Sequence, residues 1–452
     1  MRIVIFSTNS NKYDKSTVKT VSIPSRAQMW NDLALSFPEH EFIVATQLPG
    51  SFLLDYDFTD FADINTSDPD AKTHSKSPEF FLIKSDDESE IADFIARLHP
   101  DAAIAATFYV TPFDWLCVKD AIVAEKLREK GIKTICHSVQ TALDCFDKQR
   151  THVLLEKYGF NCAKAVYVNH AFFACGGNRQ DIKSNVYKKS VFFQIERLKY
   201  PVIIKDTVGL SSYGATVLDN FDQAKRFLLS KRNTSDKIIE EMIQGKQFGC
   251  EIHGTKGNYK VFAPFLFSVN KYGITSPKQS LKIGPIDEKT WDSISSSAGS
   301  EKNAISQLKS EMLRLAEAFE FDGIAQVDLA FSNGKWFVIE INPRLSGMSE
   351  TYAVLNGTSV AKMLAQIVLE SFNCDDADSK ANRQMRADFS CRSDRFVINI
   401  KSRTMPLKML NKLKTVPDVK YIYQIENLAA NQKREQGYCE VIIAMQQAAK
   451  SQ

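Results

Sequence analysis

No stretch of this chain reaches the 18 or so consecutive apolar residues that a bilayer-spanning helix needs, and the richest segment, residues 102–118, is broken by Pro112 and Asp114. A soluble protein with no membrane partner is expected. Charge of one sign is also missing. Lys and Arg total 57 against 54 Asp and Glu, a net charge of +3 that is too small over 452 residues to attract nucleic acid. Glycine (19) and proline (14) are scarce, which excludes collagen-like and low-complexity disordered chains. The nine cysteines stand singly without a C-x-x-C pair, so neither a disulfide framework nor a zinc ribbon is indicated. The start, MRIVIFSTNS, enters an apolar strand pattern directly and lacks a signal-peptide core or cleavage site, so a cytoplasmic location is expected. The seven histidines form no recognisable triad or metal pattern.

What is present is a packed globular composition, 44% hydrophobic and 25% charged, at a length that suggests about three domains. The first 140 residues alternate strand-like and helix-like segments. Strands are expected at 2–7, 41–46, 101–107 and 133–138, and helices at 26–36, 88–98 and 115–130. Such alternation predicts a parallel sheet with helices on both faces. The turn after the first strand, STNSNKY, lacks G-x-G-x-x-G, which disfavours a nicotinamide dinucleotide. Residues 53–80 are polar and read as a long surface loop. A helix is expected in DKQRTHVLLEKYGF, ended by Gly159, and residues 170–191 read as a flexible insertion. Strand patterns follow in PVIIKD, GATVL, KIIEEMI, FGCEIHGT and KVFAPFLFSV, then a helix at 301–319. After a hydrophilic linker, CDDADSKANRQ, a final block carries strands at 395–401, 419–425 and 438–444.

The segments GIAQVDLAF and KWFVIEIN, separated by Ser332, Asn333 and Gly334, read as a hairpin. Side chains two apart on a strand share a face, so Gln326 and Asp328 point together, as do Trp336, Val338, Glu340 and Asn342. A two-residue turn sets Asp328 opposite Ile339, whereas a three-residue loop sets it opposite Glu340. Only the second register gathers Asp328, Glu340 and Asn342 into an all-oxygen set suited to Mg²⁺ or Mn²⁺. Upstream, Lys205 ends an apolar strand and precedes a Gly/Ser loop in which Gly209, Ser211, Ser212 and Gly214 offer donors to phosphate.

In this order, the lysine-bearing strand, the Gly/Ser loop, the acidic strand IIEEMIQGKQFGCEI, VDLAF and VIEINPRLSG resemble the ATP-grasp superfamily over residues 140–375. The run Glu340, Asn342, Arg344 is the more specific part. The preceding α/β unit looks like the domain that usually sits before an ATP-grasp fold. VPDVKYIY and GYCEVIIAM are similar to the C-terminal domain of the carboxylate-amine ligase branch that includes L-amino-acid ligases and, more distantly, biotin carboxylase. The resemblance implies an α/β and α+β architecture with an N-terminal α/β domain at 1–140. It puts an ATP-grasp domain at 141–375, with a lid at about 195–255, and a small mixed C-terminal domain at 376–452.

The resemblance also assigns roles. Lys148 and Lys205 match the nucleotide-phosphate lysines, and residues 209–214 the phosphate cover. Glu240 matches the acid near the adenine amino group, with Met242 and Ile243 lining the base. The ribose-binding glutamate falls on Gln247, a departure from the pattern that Glu251, on the same strand face, offers to offset by replacing it or contacting substrate. Asp328, Glu340 and Asn342 match the Mg²⁺ ligands and Arg344 the charge-stabilising arginine, with Ser346 and Gly347 beside the substrate. The implied cofactors are ATP and Mg²⁺, and the implied partners are small-molecule carboxylate and amine substrates, with a homodimer as the assembly common among such enzymes. The implied reaction is amide or peptide bond formation through an acyl phosphate, joining an amino acid to an amine or second amino acid. Bicarbonate phosphorylation, as in biotin carboxylase or carbamoyl phosphate synthesis, is the enzymatic alternative. A non-catalytic nucleotide-binding protein is the other, and the complete set Asp328, Glu340, Asn342 and Arg344 argues against it.

Overall fold

The computed structural model describes residues 1–8, 18–47, 78–107, 116–174, 185–209, 214–275, 279–294, 303–372, 395–427 and 437–446. Among these, the strands assemble into three sheets. The first is parallel, in the order Glu79–Leu82, Glu41–Thr46, Arg2–Ser7, Ala102–Ala105, Lys133–Ile135. Its strands are continuous apolar runs because both faces are covered. Ile3 and Ile5 pack with Met29, Trp30 and Leu33 of helix Arg26–Ser36, and the same core takes in helix Val360–Phe372. Val4 and Phe6 face helices Glu88–Arg97 and Leu116–Glu129 on the other side. Caps set these helices: Asp87 Oδ1 accepts from Ser89 and Glu90 N–H, and Ser25 Oγ from Gln28 N–H.

The second sheet is antiparallel, in the order Ala165–Val168, Lys237–Glu241, Val202–Asp206, Thr216–Leu218. It packs on helices Val186–Ile195 and Phe221–Leu228 through Val191, Ile195, Ala224 and Phe227. The third sheet starts at the hairpin Lys335–Asn342 and Gly323–Ser332 and continues through Lys246–Thr255, Phe265–Phe267 and Ser280–Gly284. It then runs without a break into Arg395–Ser402, Gly437–Gln446 and Val419–Asn427, and ends on Val18–Ile23. Under the hairpin, Phe248, Trp291, Phe331 and Trp336 stack with ring centroids 4.6 to 5.7 Å apart against helix Ala304–Ala318.

Several expectations change. Residues 170–191 contain helix His170–Ala174 and the start of helix Val186–Ile195, held by an Asn185 side-chain cap on Lys188 N–H, rather than only a flexible insertion. Residues 79 and 80 of the expected surface loop belong to an edge strand, and residues 53–77 of it lie outside the described residues. Strands Val18–Ile23 and Ser280–Gly284 and helices Phe221–Leu228, Ser349–Asn356 and Leu407–Lys414 were not read from the sequence. No single helix among the described residues is long and apolar enough to cross a membrane.

At the carboxyl end of the parallel sheet, Asp120 is 5% exposed and accepts from Thr8 Oγ1 at 2.6 Å and Thr107 Oγ1 at 2.8 Å. Burial pushes its carboxyl up to about 7, so the folded chain holds a proton that the unfolded chain, with an ordinary carboxylate near 4, has lost. Stability contributed here therefore falls as pH rises from about 4 to about 7, by up to roughly 4 kcal/mol. Asp120→Asn keeps both acceptor bonds without that cost. Thermal melts across pH are expected to show the variant more stable than the parent at pH 8, with the gain shrinking toward pH 4.

Candidate functional site

The two carboxylates of the hairpin meet, but by a route the sequence did not offer. The turn is a tight two-residue one: Ser332 pairs with Lys335, and Asn333 and Gly334 take φ of 48° and 76°, as a type I′ turn requires. Leu329 then pairs with Val338, and the register shifts by one residue so that Asp328 pairs with Glu340, leaving Ile339 as the extra residue of a bulge. The bulge also flips the face. Trp336 and Val338 enter the core with Val327 and Leu329, as does Ile341 beyond the bulge, while Glu340 and Asn342 join Gln326 and Asp328. The expectation that Trp336, Val338, Glu340 and Asn342 share one face is thus corrected.

That face forms one wall of an open cleft, and the antiparallel sheet forms the other. Lys205, next to last on Val202–Asp206, reaches Glu240 Oε2 at 2.5 Å. Lys148 is the first residue of helix Lys148–Lys157, whose cap Asp147 accepts from Gln149 and Arg150 N–H. Its Nζ lies 3.2 Å from Glu340 Oε1 and donates to Gly209 O at 3.0 Å, tying the hairpin to the start of the Gly/Ser loop. Gly214, at φ +78°, closes the described part of that loop, where a Cβ would stand 2.8 Å from Asp206 Oδ2. Ser211 and Ser212 lie outside the described residues. Met242, Ile243 and Gln247 line the cleft, and Gln247 packs onto Gly273, where any side chain would displace its amide.

Electrostatics fit a cation between the walls. Burial, and then Glu340 opposite, raise Asp328 to about 6, while Gln326 Nε2 donates to Asp328 Oδ1 at 2.6 Å. Burial works against Glu340 too, but Lys148, Lys205 and Arg344 hold it below the ordinary carboxylate value. Lys205 stays above its usual value despite burial because Glu240, Glu340 and Asp328 surround it. Two carboxylates and the Asn342 amide oxygen are a donor set that fits Mg²⁺. Arg344 Nη2 donates to Asn342 Oδ1 at 2.9 Å, which fixes that amide.

The structure places the other expected residues as follows. Glu240, expected near the base, pairs with Lys205. Glu251 is fully enclosed: Oε1 accepts from Ser346 Oγ at 2.8 Å and Ser349 Oγ at 2.7 Å, and Oε2 lies 2.8 Å from His253 Nε2. Glu251 and Ser346 therefore brace the turn that carries Arg344 rather than facing open space. Gly347 lies against Lys282, whose Nζ would be 3.4 Å from a Cβ there. Lys282 was not singled out from the sequence. It sits on Ser280–Gly284 over the Phe267 ring, and burial holds its ammonium below the usual lysine value, with Glu440, Asp328 and Glu251 opposing the shift. A lysine at the inward-facing position of SLKIG was the available signal.

Residues 148–348 match the family model described as the ATP-grasp domain. The carbamoyl phosphate synthase large chain of Methanosphaerula palustris is 21% identical over 310 residues, 68% of this chain and 26% of that protein. The chain spans about a quarter of the length of such curated relatives. The solved L-amino acid ligase from Bacillus licheniformis superposes with a TM-score of 0.58 at 12% identity, covering 99% of this chain and 94% of that one. The biotin carboxylase domain of Hydrogenobacter thermophilus 2-oxoglutarate carboxylase, solved with MgADP and bicarbonate, gives 0.55 at 12% identity, covering 98% and 85%. At such identities these structures establish the fold.

Replacing one of these oxygen donors tests whether the hairpin holds a cation. Glu340→Gln is expected to lower Mg²⁺-dependent ATP turnover by at least about 100-fold while leaving the circular dichroism spectrum unchanged. Turnover at the parent rate counts against a ligand role.

Proposed function

We propose that this chain, whose residues 148–348 match the ATP-grasp domain and which is similar to a carbamoyl phosphate synthase large chain and to an L-amino acid ligase, is an ATP-using ligase that activates a carboxylate as an acyl phosphate and joins it to an amine. The observation that carries this reading is the placement of Asp328 opposite Glu340, facing Lys148 and Lys205 across one cleft. A carboxylate does not react with an amine unaided, because its leaving group would be oxide. Transfer of the γ-phosphoryl group of ATP to the carboxylate oxygen gives an acyl phosphate and ADP. The amine then attacks the acyl carbon, phosphate leaves with the C–O bond electrons, and the nitrogen loses a proton.

Each chain group has a task in this scheme. Lys148 and Lys205 neutralise the phosphates, and Asp328, Glu340 and Asn342 hold Mg²⁺, which when bound offsets charge on the transferring phosphoryl group. Binding of phosphates draws Lys148 from its contacts with Glu340 and Gly209 O and frees Glu340 for the metal. Arg344 and Lys282 both act electrostatically on Asp328, from the direction of the Arg344 turn and from a strand three places away in the same sheet. They are the pair that grips the carboxylate and then steadies the oxyanion formed on amine attack. Glu251, Ser346 and Ser349 keep the Arg344 turn rigid. An amino acid is the favoured carboxylate, in keeping with the similarity of fold to an L-amino acid ligase, with Arg344 and Lys282 as the cations that receive its carboxylate.

Matches to carbamoyl phosphate synthases keep bicarbonate phosphorylation as the second reading. The experiment incubates the full chain with ATP, Mg²⁺ and paired amino acids and amines, following ADP, phosphate and product mass, with and without added bicarbonate. ADP and phosphate release that needs both organic partners, ignores bicarbonate and yields a hydroxamate with hydroxylamine supports the ligase. Release of AMP and pyrophosphate, or an absolute need for bicarbonate, overturns it. Lys282→Met is expected to raise the KM for the carboxylate about 10-fold or more and to change the KM for ATP far less.

A further inference from the structure

Helix Lys148–Lys157 and the turn after it carry three donor side chains that the ligase scheme leaves unused, two of them in the cleft wall and one just outside it. His152 and Glu156 are four residues apart on helix Lys148–Lys157 and so share a face. Cys162 returns beside them after the turn at Gly159, closed by Phe160 N–H to Leu155 O at 2.8 Å. The ring nitrogen, carboxylate oxygen and thiol of the three all lie within 4.8 Å of one another. Tetrahedral bonds to zinc place such donors about 3.3 to 3.7 Å apart. The exposed Glu156 side chain supplies the small closing movement.

The histidine is already in the state a metal needs. Its Nε2 is hydrogen-bonded to the Ala163 carbonyl oxygen, which only accepts, so Nε2 holds the proton and Nδ1 presents a lone pair. Nδ1 is 3.7 Å from Glu156 Oε1, too far for a hydrogen bond and suited to two ligands of one ion. A backbone carbonyl orienting the far side of a ligating imidazole is the usual outer support of a metal site. The mixture of nitrogen, oxygen and sulfur selects a zinc-class ion, whereas Mg²⁺ prefers oxygen alone.

We propose that His152 Nδ1, Glu156 and Cys162 Sγ bind a zinc-class divalent cation whose fourth position opens to the cleft, and that this ion competes with ATP. Binding forms the metal–sulfur bond and releases the thiol proton to solvent. His152 and Cys162 both line the cleft. Cys162 also adjoins the segment expected to hold the base, since Glu241 N–H donates to Lys164 O at 2.9 Å. Metal binding stands apart from the ligase reading, and only the competition rests on it.

The test uses the full chain with Co²⁺ and Zn²⁺ as probes and no nucleotide. One equivalent of Co²⁺ per chain is expected to give a thiolate-to-cobalt charge-transfer band, displaced by Zn²⁺, that Cys162→Ser lacks. Glu156→Gln, an exposed change outside the cleft, is expected to weaken Zn²⁺ binding about 10-fold or more and to keep parent ATP turnover when excess Mg²⁺ is present and zinc is removed by a zinc-selective chelator. A band that persists in Cys162→Ser, or equal Zn²⁺ affinity in parent and Glu156→Gln, overturns the site. Zinc that binds at these residues without raising the KM for ATP overturns the competition alone, and failure to find any ligase product leaves the metal result intact.

Discussion

The site depends on one irregularity, the bulge at Ile339. Without it the tight Asn333-Gly334 turn sets Asp328 against an apolar side chain and sends Glu340 into the core with Trp336 and Val338. With it, two carboxylates stand opposite each other on the cleft face. Holding Asp328 charged at a position where its carboxyl sits at about 6 costs roughly 3 kcal/mol relative to water. Nearby cations limit that cost: Lys148 and Lys205 act on Glu340, and Lys282 and Arg344 act on Asp328. Such a pair is an expensive feature of a sheet unless a cation is to be held there.

The rest of the fold delivers groups to that pair from several directions. The antiparallel sheet brings Lys205 with its partner Glu240, and a capped helix brings Lys148. The central sheet carries Lys282 and the buried brace Glu251 on neighbouring regions of one surface. Because the last strands continue this sheet, residues distant in sequence are tied together behind the site. Arg26 Nη1 lies 2.6 Å from Glu350 Oε1, Arg26 Nη2 donates to Tyr421 OH at 2.9 Å, and Asn399 links Thr351 to Glu440. Breaking one partner of such a buried pair is costly, so the helix after Arg344 is held from both ends of the chain.

Much of this was legible from residue order, because periodicity and turn chemistry are local. The parallel strands, the hairpin and the lysine-bearing strand follow from alternation and short apolar runs. The bulge was not legible, since a one-residue register shift leaves no mark in composition and both registers satisfied the turn. Lys282 escaped for a related reason: its importance comes from Phe267, Gly347 and Asp328, which reach it across strands. Val18–Ile23 reads as an isolated polar-apolar alternation, and its partner lies about 400 residues away. Glu251 was placed on the correct strand, but the hydroxyls that enclose it come from the turn after Arg344.

In the proposed function the bulged hairpin holds a divalent cation against nucleotide phosphates. The most direct measurement is a crystal structure of the chain with ADP and Mn²⁺, with the ion located by its anomalous scattering. A manganese peak touching the Asp328 and Glu340 carboxylates, with Lys205 on the phosphates, is expected. Nucleotide bound in the cleft with the ion coordinated elsewhere, or with those carboxylates turned away from it, contradicts it.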